Sequence, residues 1–415
     1  MQVIVIGGGI GGLSAALALH AAGISVQVFE SVPKMAAVGV GINIQPNAVR
    51  ELTELGLGGE LARNAVATAE LAYYTKHGQL IWSEPRGIAA GYRWPQYSIH
   101  RGTLQIILYE AACARIGREN VLTGHTLDSF TQDSAGVTAQ FIDRATGARL
   151  GSARGDVMIG ADGIHSAVRR HYYPQEDVRF GGQLMWRAAV DWQPFLTGRS
   201  MIIAGHRDQK VVAYPMLELP DGRVYMNWIA ELGRPGGPPP REDWNRRVDK
   251  TVFLEEFRNW KFDWLDVPAM IEATDVSYEF PKIDRNPVDR WTFGRVSLAG
   301  DAAHPMHPVG SQAGSQAIID ARVLAYYLAT CENPKEGLKR YEAERLPAMR
   351  DITLGNRTLG PEVVMQIVEE RAPQGFANLD DILPPAELVA RAAEFKNKAG
   401  FAVEALNARA SYSVH

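Results

Sequence analysis

A glycine spacing, Gly7-x-Gly9-x-x-Gly12, sits between a short apolar run, Gln2–Ile6, and an Ala- and Leu-rich run, Ile10–Ala22. That order predicts a buried strand, a tight turn and a helix, with Gly23 as the helix stop. Ser25–Glu30 then alternates into a second strand, completing a βαβ unit. Glycine at the first position allows the tight turn, at the second lets backbone approach a pyrophosphate, and at the third lets helix and strand pack closely. A phosphate would sit on the N-terminus of the helix, where free N–H groups and the helix dipole favour an anion. Glu30, ending the second strand, is placed to accept hydrogen bonds from both ribose hydroxyls, which a 2′-phosphate would prevent. The predicted ligand is an adenine dinucleotide with a free ribose, FAD or NAD.

The 415 residues are too many for one ordinary core and enough for two joined domains. A net charge of -4, with no Lys/Arg block, argues against a nucleic-acid partner. Cys113 and Cys331 are too few for a disulfide framework or a four-ligand zinc site, so no metal is expected and a reducing, cytoplasmic setting is. Val3–Phe29 carries no charge apart from His20, yet its glycine cluster and the missing basic flank argue for a buried structural segment over a membrane span or a signal peptide.

Two further short apolar runs, Val157–Ile159 and Val296–Ala299, also enter Gly/Asp turns, at Asp162-Gly163 and Gly300-Asp301, followed by helix-like stretches. The second of these helices is expected over Gly310–Thr330. Each turn alone is an ordinary strand ending. Asp301 is placed to hold a polyol hydroxyl, and the helix after it to favour negative charge on a reduced flavin. Between them, about Phe180–Phe280, aromatics become frequent and β-prone runs appear, among them Met201–Ala204, Val211–Tyr214 and Val224–Ile229, with a Pro/Gly-rich loop at Arg234–Pro240. From Asn333 onward the composition is helical.

The three turns, in this order and spacing, resemble the flavoprotein aromatic hydroxylases, the family of p-hydroxybenzoate and salicylate hydroxylases. The resemblance spans Gln2 to about Met349. Gly39–Asn47, Trp82–Gly87, Pro95–Gly102 and Met185–Arg187 look most like the methylphenazine-carboxylate monooxygenases. The fold that it implies is α/β: a Rossmann-like FAD-binding domain in three parts (1–72, 101–178, 283–352), an inserted mixed β-sheet substrate domain (73–100, 179–282) and C-terminal helices (353–415). By position, the resemblance implies that Gly7, Gly9 and Gly12 cradle FAD and Glu30 binds its ribose. Arg101 and Gln105 would meet its phosphates and ribityl chain. Asp162 would touch FAD and serve NAD(P)H, and Gly300 and Asp301 would hold the ribityl chain. Gly39–Ile42, with Gly41 among them, and Pro308–Gly310 would flank the flavin ring, and Gly314 would bind the cofactor at the helix opening beside it. The sequence departs from the family at Ser311-Gln312-Ala313 and Ser315, where many relatives have Gly-Gln-Gly and then Asn. It also has Pro33-Lys34 where an Arg is usual, which leaves NADH or NADPH open.

There is no second Gly-x-Gly-x-x-Gly. A chain with one dinucleotide site, filled by FAD, must meet NAD(P)H transiently, which fits a hydroxylase that passes oxygen from a flavin hydroperoxide to a ring. The expected reaction is hydroxylation of a planar aromatic or N-heteroaromatic acid, phenazine-like among the options, with or without decarboxylation. Alternatives are another flavin oxygenation (epoxidation, N-hydroxylation, Baeyer–Villiger insertion) or a flavoprotein that sequesters its ligand. Candidates to touch substrate or flavin are His307, Tyr214 and Pro308, then His206 and His304, each weighed against a packed or surface role. Arg187 could bind a substrate carboxylate, although a structural ion pair is the plainer expectation. Trp186, Trp192 and Trp228 could stack a planar ring, although core packing is the default. The oligomeric state, monomer or homodimer, stays open.

Overall fold

The computed structural model describes residues 1–234, 236–237, 246–358, 360–390 and 402–414. Strand β1 (Gln2–Ile6), helix α1 (Ile10–Ala21) and strand β2 (Ser25–Phe29) form the opening unit. β1 pairs in parallel with β2, Val3 opposite Val26, and on its other edge with strand β3 (Val157–Gly160), Val5 opposite Ile159. Val296–Leu298 adds in parallel beside β3, and Thr292–Phe293 and Val121–Leu122 complete a six-stranded sheet. Val3, Ile4, Val5, Val157, Met158 and Ile159 are wholly buried, so both faces of these strands are covered; hence the unbroken apolar runs in place of alternation.

Gly12 fixes how α1 meets this sheet. A Cβ there would lie 1.9 Å from the Gly7 carbonyl oxygen. Beside α1 runs helix α2 (Ala313–Thr330), approached so closely that a Cβ on Gly11 would stand 3.4 Å from that of Ala317. α2 begins three residues later than the sequence suggests. Val309–Ser311 forms a separate 3-10 turn, with Gly310 at φ 67° and Ser311 at φ 54°, and this breaks the expected helix.

The aromatic-rich region forms an eight-stranded mixed sheet. Its main strands are β4 (Arg179–Trp192), β5 (Ser200–His206), β6 (Gln209–Glu218), β7 (Val224–Gly233) and β8 (Ser277–Asp284). The order is Arg246–Val248, β8, β4, β7, β6, β5, Glu70–Tyr74, Leu80–Pro85, antiparallel except between β5 and Glu70–Tyr74. The three runs picked out in the sequence lie within β5, β6 and β7. Most of the loop 234–240 lies outside the described residues.

Side chains alternate across a strand, so each strand divides its residues between two faces. One face, with Trp186, Ile202, Ala213 and Trp228, closes on Phe253, Phe257 and the helix Val267–Glu272. Trp186 stacks on Phe253 with centroids 4.7 Å apart and donates to Glu279; Trp228 donates to Thr274. These two tryptophans are core, and Trp192 packs against the same cluster. The other face looks toward the nucleotide sheet. Helix α3 (Pro334–Arg357) packs beside α2, and Val363–Arg371 covers part of the second sheet at Met201 and Leu71. A short helix, Val403–Ala408, follows; 391–401, read as helical in the sequence, lie outside the described residues. No helix among the described residues is long and apolar enough to cross a membrane.

Gly12→Ala forces α1 away from the Gly7 turn. It is expected to lower the unfolding free energy by about 1–3 kcal/mol, read as a shift of the urea midpoint.

Candidate active site

A cavity of about 990 Å³ lies where the glycine turn Gly7–Gly12 and the two Gly/Asp turns meet the free face of the eight-stranded sheet. The turns are pressed together by backbone. Gly7 has φ 109°, and a Cβ there would come within 2.4 Å of the Ala161 carbonyl oxygen, so the first turn rests directly on the second. Gly9 is different: nothing lies within 4 Å of where its Cβ would be, and its backbone opens onto the cavity at the N-terminus of α1. No side chain caps that helix and no acidic residue occupies its first turn, so its N–H groups are available to an anion.

Glu30 accepts from the Gly8 N–H at 2.6 Å through one oxygen, and from the Val32 N–H and Ser31 hydroxyl through the other. Gln105 donates to the Gly8 carbonyl at 2.9 Å. Both line the cavity, as does Arg101, which has no carboxylate partner among the described residues. Asp162 takes the Ala167 and Val168 N–H groups on Oδ2, while its buried Oδ1 accepts no hydrogen bond among the described residues. Burial raises its carboxyl above the ordinary range, partly offset by these hydrogen bonds and by Ser166.

The third turn is held from behind. Asp320, on α2, accepts from the Gly300 N–H (3.0 Å), His304 Nε2 (2.5 Å) and Arg345 Nε (2.7 Å). Burial alone would raise this carboxyl, but His304 and Arg345 outweigh it and hold it near a pKa of about 2. Gly300, at φ 58°, makes the turn and sends Asp301 into the cavity, where burial raises its carboxyl against the pull of His304 and Arg101. Across from it, Gly310 and Pro308 line the cavity, and Gly314 packs so closely on Ile42 that a Cβ would meet Cδ1 at 2.7 Å. An open glycine cradle at a helix N-terminus, an unpaired arginine, an orphaned Asp162 oxygen and a further carboxyl at Asp301 fit the phosphates and hydroxyls of FAD.

The sheet face supplies the rest of the wall. Met185, Met201, Ile203, Val212, Ile229 and Phe280 give it an apolar floor. Arg187 rises from the same face of β4. It donates to the Gly41 carbonyl at 2.8 Å, lies over the Phe280 ring at 5.9 Å and sits beside the Tyr214 phenol, while its buried Nε has no hydrogen-bond partner among the described residues. The ion pair expected for Arg187 is absent: no carboxylate among the described residues reaches it, and burial lowers its pKa. Tyr214, pushed up to about 12 by burial despite Arg187, stays protonated and can donate. Gly41 is packed by the sheet, since a Cβ would fall 2.6 Å from Tyr214 Cε2, and its N–H donates to Asn227.

The histidines do not reach this wall. His307 turns away beneath the Pro308 loop, against Gly181, with Nε2 3.7 Å from Asp284 Oδ2. Burial lowers it to about 4 in spite of Asp284, so it is neutral at pH 7. His304 is spent on Asp320. His206 lies at the end of β5 beside Glu369, 3.9 Å away. Sequence reasoning missed five buried charges that do line the cavity: Arg86, Lys210, Glu231, Lys282 and Glu362. Period-two alternation from Tyr214 and Val212 would have found Lys210, and from Ile229, Glu231.

A family model described as FAD binding domain matches residues 1–354. The chain is 41% identical over 362 residues to phenazine 1,6-dicarboxylic acid hydroxylase of Lysobacter antibioticus, covering 86% of this chain and 89% of that protein. It is 32% identical over 370 residues to 3-hydroxybenzoate 6-hydroxylase of Polaromonas naphthalenivorans, covering 87% of each. Among solved structures, Klebsiella pneumoniae HpxO complexed with FAD and uric acid superposes with a TM-score of 0.74 at 26% identity, over 98% of this chain and 96% of that one.

Gly9→Ala should fold normally, since its φ of -76° suits alanine and its Cβ meets nothing. Its methyl group would occupy the pyrophosphate approach, and FAD affinity is expected to fall roughly 10–100-fold, measured by flavin fluorescence on titrating the apoprotein. His307 binds a proton more weakly when folded. Its stabilising effect is complete above the unfolded pKa of about 6.5 and is lost as pH falls toward 4. His307→Gln should flatten the acid side of the stability profile by up to about 1.4 kcal/mol per pH unit in urea titrations, and leave the pH dependence of turnover between 6 and 8 unchanged.

Proposed function

The chain belongs to the FAD binding domain family and is an FAD-dependent monooxygenase of the aromatic hydroxylase kind; from that premise we propose that it hydroxylates a planar aromatic or N-heteroaromatic carboxylic acid, phenazine-like in shape, with NADPH or NADH and molecular oxygen. In the balanced reaction one oxygen atom replaces a ring C–H by C–OH, the other leaves as water, and NAD(P)H with a proton supplies the two electrons. Bound FAD would take the hydride and activate the oxygen. The observation that carries the reading is Arg187, a guanidinium held by a carbonyl and a ring face on an apolar wall, with the cation Arg101 nearby and no carboxylate partner among the described residues.

Each residue of the wall has a part in this reading. Gly41 O, the Phe280 face and Tyr214 hold the Arg187 fork in one orientation, so that two parallel N–H groups can meet a carboxylate. The Met185, Ile203, Val212 and Ile229 side chains would press on the flat face of the ring and keep water from the reacting carbon. Glu30, Gln105, Arg101, Asp162 and Asp301 would bind FAD. Pro308 and Gly310 would border the flavin ring. NAD(P)H would use the open side of the cavity near Asp162.

Two ionisable side chains of this wall, Tyr214 and Glu231, are poor proton acceptors. Tyr214 is held protonated, and Glu231 is held near a pKa of about 2, since Lys210 and Lys282 outweigh the raising effect of burial. This favours a ring that carries its own electron density, such as an amino- or N-alkyl-substituted heterocycle, over a phenol that must first lose its proton.

Anaerobic bleaching of the flavin by NADPH and by NADH, with and without a panel of aromatic and phenazine carboxylates, tests the reading. An aromatic acid is expected to accelerate bleaching, and in air to be recovered with one added oxygen, with or without its carboxylate. Slow bleaching with every acid would overturn it in favour of a ligand-sequestering flavoprotein. Arg187→Met is expected to weaken acid binding roughly 10–100-fold while FAD is retained.

A further inference from the structure

Beyond Arg187, and apart from Arg86, which pairs with Glu84, the pocket wall holds four charged side chains, each less than a tenth exposed: Lys210, Glu231, Lys282 and Glu362. They form a chain of ion pairs. Lys282 Nζ meets Glu231 Oε1 at 2.6 Å, Lys210 Nζ meets Glu231 Oε2 at 3.2 Å, and Lys210 Nζ meets Glu362 Oε2 at 2.6 Å. Three of the four belong to the sheet. Glu362 does not; it is brought in by the short 3-10 turn Gly360–Glu362, between α3 and the helix Val363–Arg371.

Charge balance gives this arrangement a consequence. Two lysines face two glutamates, so the network is neutral. Lys210 would otherwise have only a share of Glu231, whose shorter contact is to Lys282. Arg86, the remaining cation of this wall, is paired with Glu84. Arg101 lies on the cofactor side, near Asp301, and is the partner proposed for the FAD phosphates. Arg187 is thus the one cation of the sheet face without a carboxylate partner among the described residues, with Arg101 on the cofactor side close enough to repel it. An ion taken into a buried site must be matched by an opposite charge, because desolvation costs several kcal/mol per ion. One cation without a partner therefore admits one carboxylate.

Register places the two ends. Arg187 lies opposite Ile229, and Ile229 opposite Val212, on neighbouring strands; Lys210 is two residues along from Val212 on the same face. From the strand spacing and the rise per residue, Arg187 and Lys210 are roughly 12 Å apart at the backbone. A flat ring system anchored at Arg187 therefore extends toward Lys210.

We infer that Glu362 is a specificity-determining residue: by neutralising Lys210 it turns a second anion site into a neutral, hydrogen-bonding one, so that the pocket selects a monocarboxylate over the matching dicarboxylate. The inference rests on the proposed function. The Lys–Glu chain would meet the uncharged polar edge of the substrate, and a second carboxylate there would face Glu231 and Glu362.

The test is a pair of dissociation constants, for phenazine-1-carboxylate and phenazine-1,6-dicarboxylate, read from the change in flavin absorbance of the holoenzyme. The wild type should bind the monocarboxylate more tightly. Glu362→Gln, which keeps a hydrogen-bond acceptor for Lys210 and removes the charge, should shift the ratio toward the dicarboxylate by about tenfold or more. Glu362→Asp should hold the wild-type ratio. The double variant Lys210→Met with Glu362→Met, which restores neutrality without either charge, should again favour the monocarboxylate. That variant separates charge balance from a general loosening of the pocket. A wild type that prefers the dicarboxylate, or a ratio unchanged in Glu362→Gln, overturns the inference and leaves the hydroxylase reading standing. Binding of neither acid overturns both.

Discussion

The contact between the Gly7 turn and the Ala161 carbonyl, too close to admit a side chain, is the constraint on which the rest of the structure depends. It forces the first two turns into one place at the ends of parallel strands. The third joins them because the buried Asp320 carboxylate gathers the Gly300 N–H, His304 and Arg345. Because Asp320 is ionised and fully matched, the turn is fixed before any ligand arrives. The cofactor half of the cavity is therefore built mainly of backbone groups in set positions, and a bound anion meets N–H groups that need no rearrangement.

The substrate half is built differently. There the wall is one face of a sheet, and its chemistry is decided by which residues fall on the odd or even side of each strand. Trp186 and Trp228 fall on the packed side, while Arg187 and Ile229, one step away, fall on the open side. A one-residue slip would exchange the two sets. The dense aromatic packing around Phe253, together with the indole hydrogen bonds to Glu279 and Thr274, ties that register down. Core packing on one face thereby orients the charges on the other.

This division explains what was legible in the sequence. Gly7, Gly9, Gly12, Glu30, Asp162 and Asp301 were legible because each belongs to a local turn whose spacing has a meaning without reference to distant residues, and their grouping implied the Rossmann-like half. The sheet was legible as texture, and its three central strands as β-prone runs. The pairing of the open-face charges was not. Lys210 pairs with Glu362 across 152 residues, and Lys282 with Glu231 across 51. No local pattern carries such pairings. Arg187 was misjudged for the same reason: an ion pair is the common fate of a buried arginine, and only the fold reveals that its neighbours are a carbonyl, a phenol, a ring and a second arginine, Arg101. His307 was misplaced because nearness in sequence to Pro308 suggested nearness to the cavity, whereas the turn through Val309–Ser311 carries Pro308 inward and leaves His307 beside Asp284.

The two halves also differ in what a substitution can change. In the cofactor half most positions answer to backbone geometry, and a single methyl group at Gly7 or Gly12 breaks the turn itself. On the sheet face, a residue can change while the strand keeps its hydrogen bonds, provided that the buried charges remain matched. Exchanging Arg187, Lys210 or Glu362 alters the charge presented to a ring without touching the turns that would hold FAD. Proteins similar to this chain are named for phenazine dicarboxylate, hydroxybenzoate and urate, yet share its fold along nearly the whole length. A rigid backbone site joined to a sheet face of adjustable charge is a physical arrangement from which that range can follow: the oxidising chemistry stays constant while the anchoring of the ring varies.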